Sequence, residues 1–267
     1  MRLLTLNLLR SCNFDLNKLR FFCSTEKHLI LIEFHPSWKA DEETDLRKQV
    51  LRDMRVIPDF INETEEISLL SEVEPQLKRM RYEFDHWDNA IEGYRETERQ
   101  AWNEQNSVTL ARVRSVAFDN GIELLPHTHV LDLAPAGYIK PHVDAVRFCG
   151  DTIAGLCLLS GAVMRLMHEN SPDYVLDALL PRRSLYIMSL TSRLALIHRH
   201  YTSTKCKCVE ALNSLQPGMS YSGVVRYQFN HAVLSNEKSV WRGGKLIKKR
   251  RVAIITREQP KKPSDLI

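Results

Sequence analysis

HVLDLAPAGYIKPHVDAVRFCGDTIAGL, residues 129–156, is the stretch on which the reading of this chain turns. It opens on an alternating run, His129-Val130-Leu131-Asp132-Leu133, passes through Pro and Gly, and turns apolar again from Thr152 to Leu159. Alternation with a period of two marks a half-buried strand, and the Pro and Gly residues punctuate it. Outward from there, Val163–Met167, Leu185–Met188, Val224–Phe229 and Val252–Thr256 are short, apolar or alternating, and separated by turn residues. Everything after Pro126 is therefore expected to be β.

Upstream the grammar differs. From Val56 to about Trp102 the chain reads as largely helical: Asn62 can cap a helix whose acidic first turn, Glu63-Thr64-Glu65-Glu66, suits the positive end of a helix dipole. Ile67, Leu70, Val73 and Leu77 then fall on one face. Arg79 to Asp88 mixes charge with Tyr82, Phe84 and Trp87 without a clean period and reads as a loop or lid-like segment, and a second helix is expected over about Ser107 to Phe118. Helices followed by many short strands predict an α+β, mainly β domain: a jelly roll with N-terminal helices packed on one face. There is no internal repeat.

The residues that can do chemistry lie in the β half. In Pro141-His142-Val143-Asp144 an imidazole and a carboxylate stand two residues apart, which on a strand places both on one face. They supply two of the three groups of a 2-His-1-carboxylate triad, the set that leaves open positions on Fe(II). A buried histidine bonded to its neighbouring carboxylate explains the same pair without a metal. Further on, Arg226-Tyr227-Gln228-Phe229-Asn230-His231 offers a second histidine, and Arg251 and Arg257 bracket an apolar strand on a shared face. A guanidinium fork is the natural partner of a carboxylate ligand.

Taken together, RMRYEFDHWDNAIEGYRETER, the 129–156 stretch, VMRLM, SLYIM, VRYQFNHAV and RRVAIITR resemble the AlkB-homologue family of Fe(II)/2-oxoglutarate dioxygenases, most closely its mitochondrial branch, over about Val56 to Arg257. The resemblance implies a double-stranded β-helix (jelly roll, cupin-like). It implies iron ligands His142, Asp144 and His231, and 2-oxoglutarate contacts Tyr186, Arg251 and Arg257, with Arg251 on the far carboxylate. It implies Fe(II), 2-oxoglutarate and O2 as the reacting set, succinate and CO2 as products, and oxidation of a substrate C–H bond. Links to fatty-acid metabolism and to necrosis after alkylation damage are also implied.

Residues 189–221 interrupt that likeness and are expected to be an atypical insert, either a loop or a translated intron. His142 and His231 are 89 residues apart; without these 33 residues the separation is 56, which is also the separation of His142 from His198. Counting alone would choose His198, but only His231 is followed by the Arg pair at the family's distance. His198, His200, Cys206 and Cys208 then read as loop residues, since C-x-C without a second half is not a zinc site.

With 267 residues, 43% hydrophobic and 26% charged, the chain is neither disordered nor fibrous, and no apolar run is long enough to span a bilayer. Six scattered cysteines make no disulfide framework. Residues 1–24 hold Arg2, Arg10, Lys18 and Arg20 against Asp15 among Leu and Phe, the pattern of a mitochondrial import segment; an ordinary amphipathic helix is the alternative. The expected organisation is 1–24 targeting peptide, 25–55 N-terminal extension, 56–258 dioxygenase domain and 259–267 tail, in the mitochondrial matrix and monomeric. The net charge of +4 arises in the first 24 residues and in 189–221, each contributing +3, so it does not mark a nucleic-acid partner. Lys245, Lys248, Lys249 and Arg250 read as a solvated hairpin edge, with a basic track for nucleic acid as the alternative. The family resemblance implies a protein or mitochondrial RNA substrate rather than duplex DNA; a catalytically inactive jelly-roll binding module is the competing expectation.

Overall fold

A computed structural model of the chain describes residues 30–38, 45–84, 89–189 and 224–260. The expected import segment 1–24, His86, Trp87, residues 190–221 of the expected insert with His198, His200, Cys206 and Cys208, and residues beyond 260 lie outside the described residues.

The strands are β1 (Ile32–Phe34), β2 (Met54–Ile57), β3 (Ile91–Arg99), β4 (Thr128–His142), β5 (Ile153–Leu158), β6 (Ala162–His168), β7 (Val175–Leu180), β8 (Leu185–Met188), β9 (Phe229–Val233), β10 (Val240–Trp241), β11 (Gly244–Lys245) and β12 (Arg251–Arg257). The helices are α1 (Asp45–Asp53), α2 (Glu63–Leu77), α3 (Glu104–Ala117) and the single turn α4 (Val224–Gln228). Ten strands form one continuous antiparallel sheet that β4 divides into two, a first sheet β4-β12-β5-β8 and a second, β4-β9-β6-β7. The strand β4 belongs to both. It pairs with β12 through His129–Leu133 and with β9 at Ile139 and His142. This strand order is the double-stranded β-helix. Strands β2 and β3 widen the first sheet and β1 the second.

Alternation sorts the side chains into two cores. On β12, Ala253 and Ile255 join Leu133, Leu166, Phe229 and Val233 in one core, while Val252 and Ile254 join Val130, Leu156 and Leu158 in the other, against α2 and α3. Arg251 and Arg257 share the parity of Ala253, so they belong to the first face.

Helix α2 begins as expected, with Asn62 and Glu65 forming a reciprocal capping box. Its buried face is Glu66, Leu69, Val73 and Leu77, however, and Ile67 is exposed. The charged Glu66 turns inward because Arg182 grips its carboxylate and Leu159 N–H donates to it. Residues 91–99, expected to be helical, form a strand. Their charges hide the pattern: Arg95 is buried against Asp132 at 2.7 Å, and Glu96 meets His129 at 2.8 Å. Residues 224–228, expected as a strand, are helical because the Asp53 carboxylate accepts from Val224 N–H and starts the turn. Strand β7 had no signal. Asp53 also accepts from Ser189 N–H through its backbone carbonyl, so the two residues flanking 190–223 meet at one residue.

The corner of β4 is built by two devices. Gly93, at φ +65°, and Gly137 touch backbone to backbone, where a Cβ on Gly137 would strike the Gly93 and Glu92 carbonyls. Lys248 is 1% exposed and its Nζ donates to Ala134 O and Pro135 O, both at 3.0 Å. Arg250 is clamped by Asp132 and Glu74. The expected solvated cluster is thus reduced to Lys245 and Lys249, because the strand corner needs a donor where β4 leaves its ladder. Burial lowers the Lys248 amine to about 8. The folded protein therefore releases that proton more easily than the unfolded chain, and folding gains from about pH 8 up to the ordinary lysine range. Lys248→Met is expected to cost about 1–3 kcal/mol at pH 7 by leaving two carbonyls unpaired. In chemical-denaturant titrations the wild type should gain further on the variant as pH rises above 8.

Candidate metal centre

His142 is the last residue of β4, and its Nδ1 lies 2.9 Å from Lys140 O. That bond directs Nδ1–H to the carbonyl and leaves Nε2 to face inward. Asp144 lies beyond the strand end, so the following loop places it, not strand alternation. His231 sits on β9 with its Cα opposite His142, and the two ring centroids are 4.3 Å apart. His231 Nε2 is 3.5 Å from Asp144 Oδ2. One potential ligand atom from each of the three residues falls within 4.8 Å of the others, and no other such cluster occurs among the described residues.

Burial pushes the His231 imidazole down to about 4, despite the opposing pull of Asp144, so it is neutral at physiological pH. For Asp144, burial works to raise the carboxyl, but electrostatic interaction with the neighbouring His231, Arg257, His142 and Arg226 outweighs it and holds the group below its ordinary range. Two imidazoles and one carboxylate in a half-buried recess are the donor set suited to a divalent iron with open positions.

Deeper in the same interior, Arg251 is 1% exposed. Its Nη2 meets Cys157 Sγ at 3.3 Å, and it hydrogen-bonds Tyr186. Among the described residues it bonds to no carboxylate, and its Nε has no partner; nor does Nε of Arg257. An unpaired buried cation is costly, so this pocket is shaped for an anion. Burial pushes the Tyr186 hydroxyl up to about 12, which keeps it a neutral donor. The charges of Asp144 and Arg257 both reach Tyr186, joining the cation pocket to the triad. At Gly155 a Cβ would collide with the Tyr186 ring, so the glycine is what lets the tyrosine lie across the pocket.

The structure thus brings together His142, Asp144, His231, Tyr186, Arg251 and Arg257. It adds two residues that sequence reasoning passed over, Cys157 and Arg226. Cys157 carried no signal in an apolar strand; Arg226, a lone cation in the apolar run Val224-Val225, could have been noticed as one needing buried partners.

Two curated relatives match over 211 residues, 79% of this chain and 80% of each relative: the mouse "Alpha-ketoglutarate-dependent dioxygenase alkB homolog 7, mitochondrial" at 43% identity and its Bos taurus counterpart at 42%. The chain belongs to the AlkB-homologue family of alpha-ketoglutarate-dependent dioxygenases. It is an enzyme of that class and, like these relatives, mitochondrial. No family model matches the chain. Among solved structures it is similar to OsALKBH1, at 12% identity and TM-score 0.46 over 77% of this chain and 97% of that one. It is also similar to a Pseudomonas putida prolyl-4-hydroxylase, at 13% and 0.48 over 81% and 97%. The jelly-roll assignment rests on the strand order.

For this AlkB homologue, Co(II) titration of the metal-free protein should show one site that His231→Ala abolishes and His198→Ala leaves intact; the reverse pattern would reassign the ligand. Gly155→Ala should displace Tyr186 and weaken 2-oxoglutarate about tenfold by calorimetry while leaving Co(II) affinity within about twofold, since the clash lies in the anion pocket rather than at the triad.

Proposed function

We propose that this chain is a mitochondrial matrix oxygenase in which His142, Asp144 and His231 hold Fe(II) while Tyr186, Arg251 and Arg257 bind 2-oxoglutarate. The observation that carries this reading is the buried Arg251 with no carboxylate partner, adjoining a His-Asp-His cluster. Bound Fe(II) supplies oxidative chemistry in which 2-oxoglutarate and O2 yield succinate and CO2 as a substrate C–H bond is hydroxylated. Arg251 would neutralise the far carboxylate, with Tyr186 as a neighbouring donor. Arg257 contributes positive charge near the end that faces Asp144. The apolar walls of the first core keep water from the recess.

The product class is a hydroxylated protein or a demethylated mitochondrial RNA, and the surface favours a protein. Of the residues that would make a basic, stacking track, Lys248 is buried and Arg250 is held by Asp132 and Glu74. Tyr82 donates to Asp132 and lies under the Arg95 guanidinium, so its ring is already engaged. On the loop after Asp144, Val146 and Phe148 are exposed apolar groups. The links to fatty-acid metabolism and alkylation-induced necrosis rest on the family resemblance alone.

Anaerobic loading with Fe(II) followed by a succinate-release assay, run with a mitochondrial tRNA pool and with a matrix protein extract, tests this directly. Basal succinate release that the protein extract stimulates is the expected result, with loss in Arg251→Met. Stimulation by the tRNA pool alone would assign the RNA substrate. Absence of iron binding and of any succinate release would favour a binding module.

A further inference from the structure

Arg226 is 3% exposed and sits on α4, five residues before His231. Its guanidinium donates from Nη1 to Asp144 O at 2.7 Å, from Nε to Gly150 O at 3.1 Å, and from Nη2 to Cys149 O at 3.3 Å and Cys149 Sγ at 3.1 Å. Every one of these acceptors belongs to the loop 144–150. A buried arginine ordinarily meets a carboxylate side chain; this one directs its donors at the backbone of a single loop. That loop has no sheet ladder of its own. Phe148 N–H to Ala145 O and Gly150 N–H to Glu258 O also tie the loop, and neither holds Asp144. The base of the brace is firm: Val224 N–H is held by Asp53, and Val224 and Val225 are buried in the core.

We propose that Arg226 is the positioning residue of the metal centre: a rigid guanidinium fork that fixes the Asp144 loop to the segment carrying His231, so that both ligands are set by one side chain. The inference rests on the assignment of His142, Asp144 and His231 as metal ligands, and it concerns their preorganisation rather than their identity. A planar fork with several donors can satisfy four acceptors at once, which a lysine cannot. Outer partners of metal ligands are worth about 10–100-fold in metal affinity.

The test is Co(II) titration of the metal-free full chain, followed by visible absorption, at a temperature where circular dichroism shows every variant folded. Arg226→Gln should weaken Co(II) binding by about 10–100-fold, and Arg226→Lys, which keeps the charge but not the fork, by less. Arg182→Gln is the control, since it unpairs the buried Glu66 far from the triad; it should lower the melting temperature yet leave Co(II) affinity within about twofold. Arg226→Gln binding within twofold of wild type would overturn the proposal, and so would an equal loss in Arg182→Gln. If wild type binds no Co(II), or His231→Ala binds as well as wild type, the ligand assignment itself fails. Should Arg226→Gln not fold, hydrogen exchange of the wild type decides: Zn(II) should slow exchange across 145–150 and 224–228 together, and protection confined to the ligands' own strands would contradict the brace.

Discussion

One strand shared by two sheets sets the terms for the rest of this molecule. Because β4 pairs with β12 in its first third and with β9 at its end, it must leave one ladder and enter the other within a few residues. The backbone groups exposed by that change need partners, and a fully buried lysine supplies them at Ala134 and Pro135. The direction in which β4 emerges then fixes His142 opposite His231. The juxtaposition of the two histidines of the proposed metal centre is therefore a matter of sheet register. Asp144 is not, and it depends on a loop that a buried arginine ties down.

The interior carries positive charge in an ordered way. Arg251 and Arg257 face the first core with unpartnered Nε atoms, while their neighbour Arg250 points to the opposite side, towards α2, and is neutralised by Asp132 and Glu74. Adjacent arginines thus have opposite tasks. Arg250, just before β12, ties it to α2, and Arg251 and Arg257 leave an electrostatic demand that the proposed anion would meet. Burial of an uncompensated cation opposes folding, so the fold carries this cost where a ligand offsets it on binding.

Much of this was legible in the sequence, for physical reasons that differ by residue. Apolar strands such as Ile153–Leu158 and Arg251–Arg257 announced themselves because burial on both faces demands continuous hydrophobicity. Asn62 announced a helix start because its side chain has one obvious acceptor role there. Strand β3 did not, since its stability lies in ion pairs with residues 30 to 40 positions away in sequence, such as Arg95 with Asp132. Helix α4 did not, since Val-Val-Arg-Tyr reads as a strand until Asp53, 171 residues earlier, caps it. At the site, His-x-Asp and the paired arginines could be seen as a spacing pattern. The roles of Cys157 and Arg226 could not, because each acts through a contact that exists only after folding.

The central claim is that register and loop anchoring converge three side chains on one divalent cation beside a buried anion pocket. Anomalous scattering from crystals of the full chain grown with Mn(II) and 2-oxoglutarate tests it most directly. The account predicts a single peak within bonding distance of His142, Asp144 and His231, with the far carboxylate of 2-oxoglutarate on Arg251. A peak on His198 or His200, or a carboxylate bound elsewhere while Arg251 stays unpaired, would contradict it.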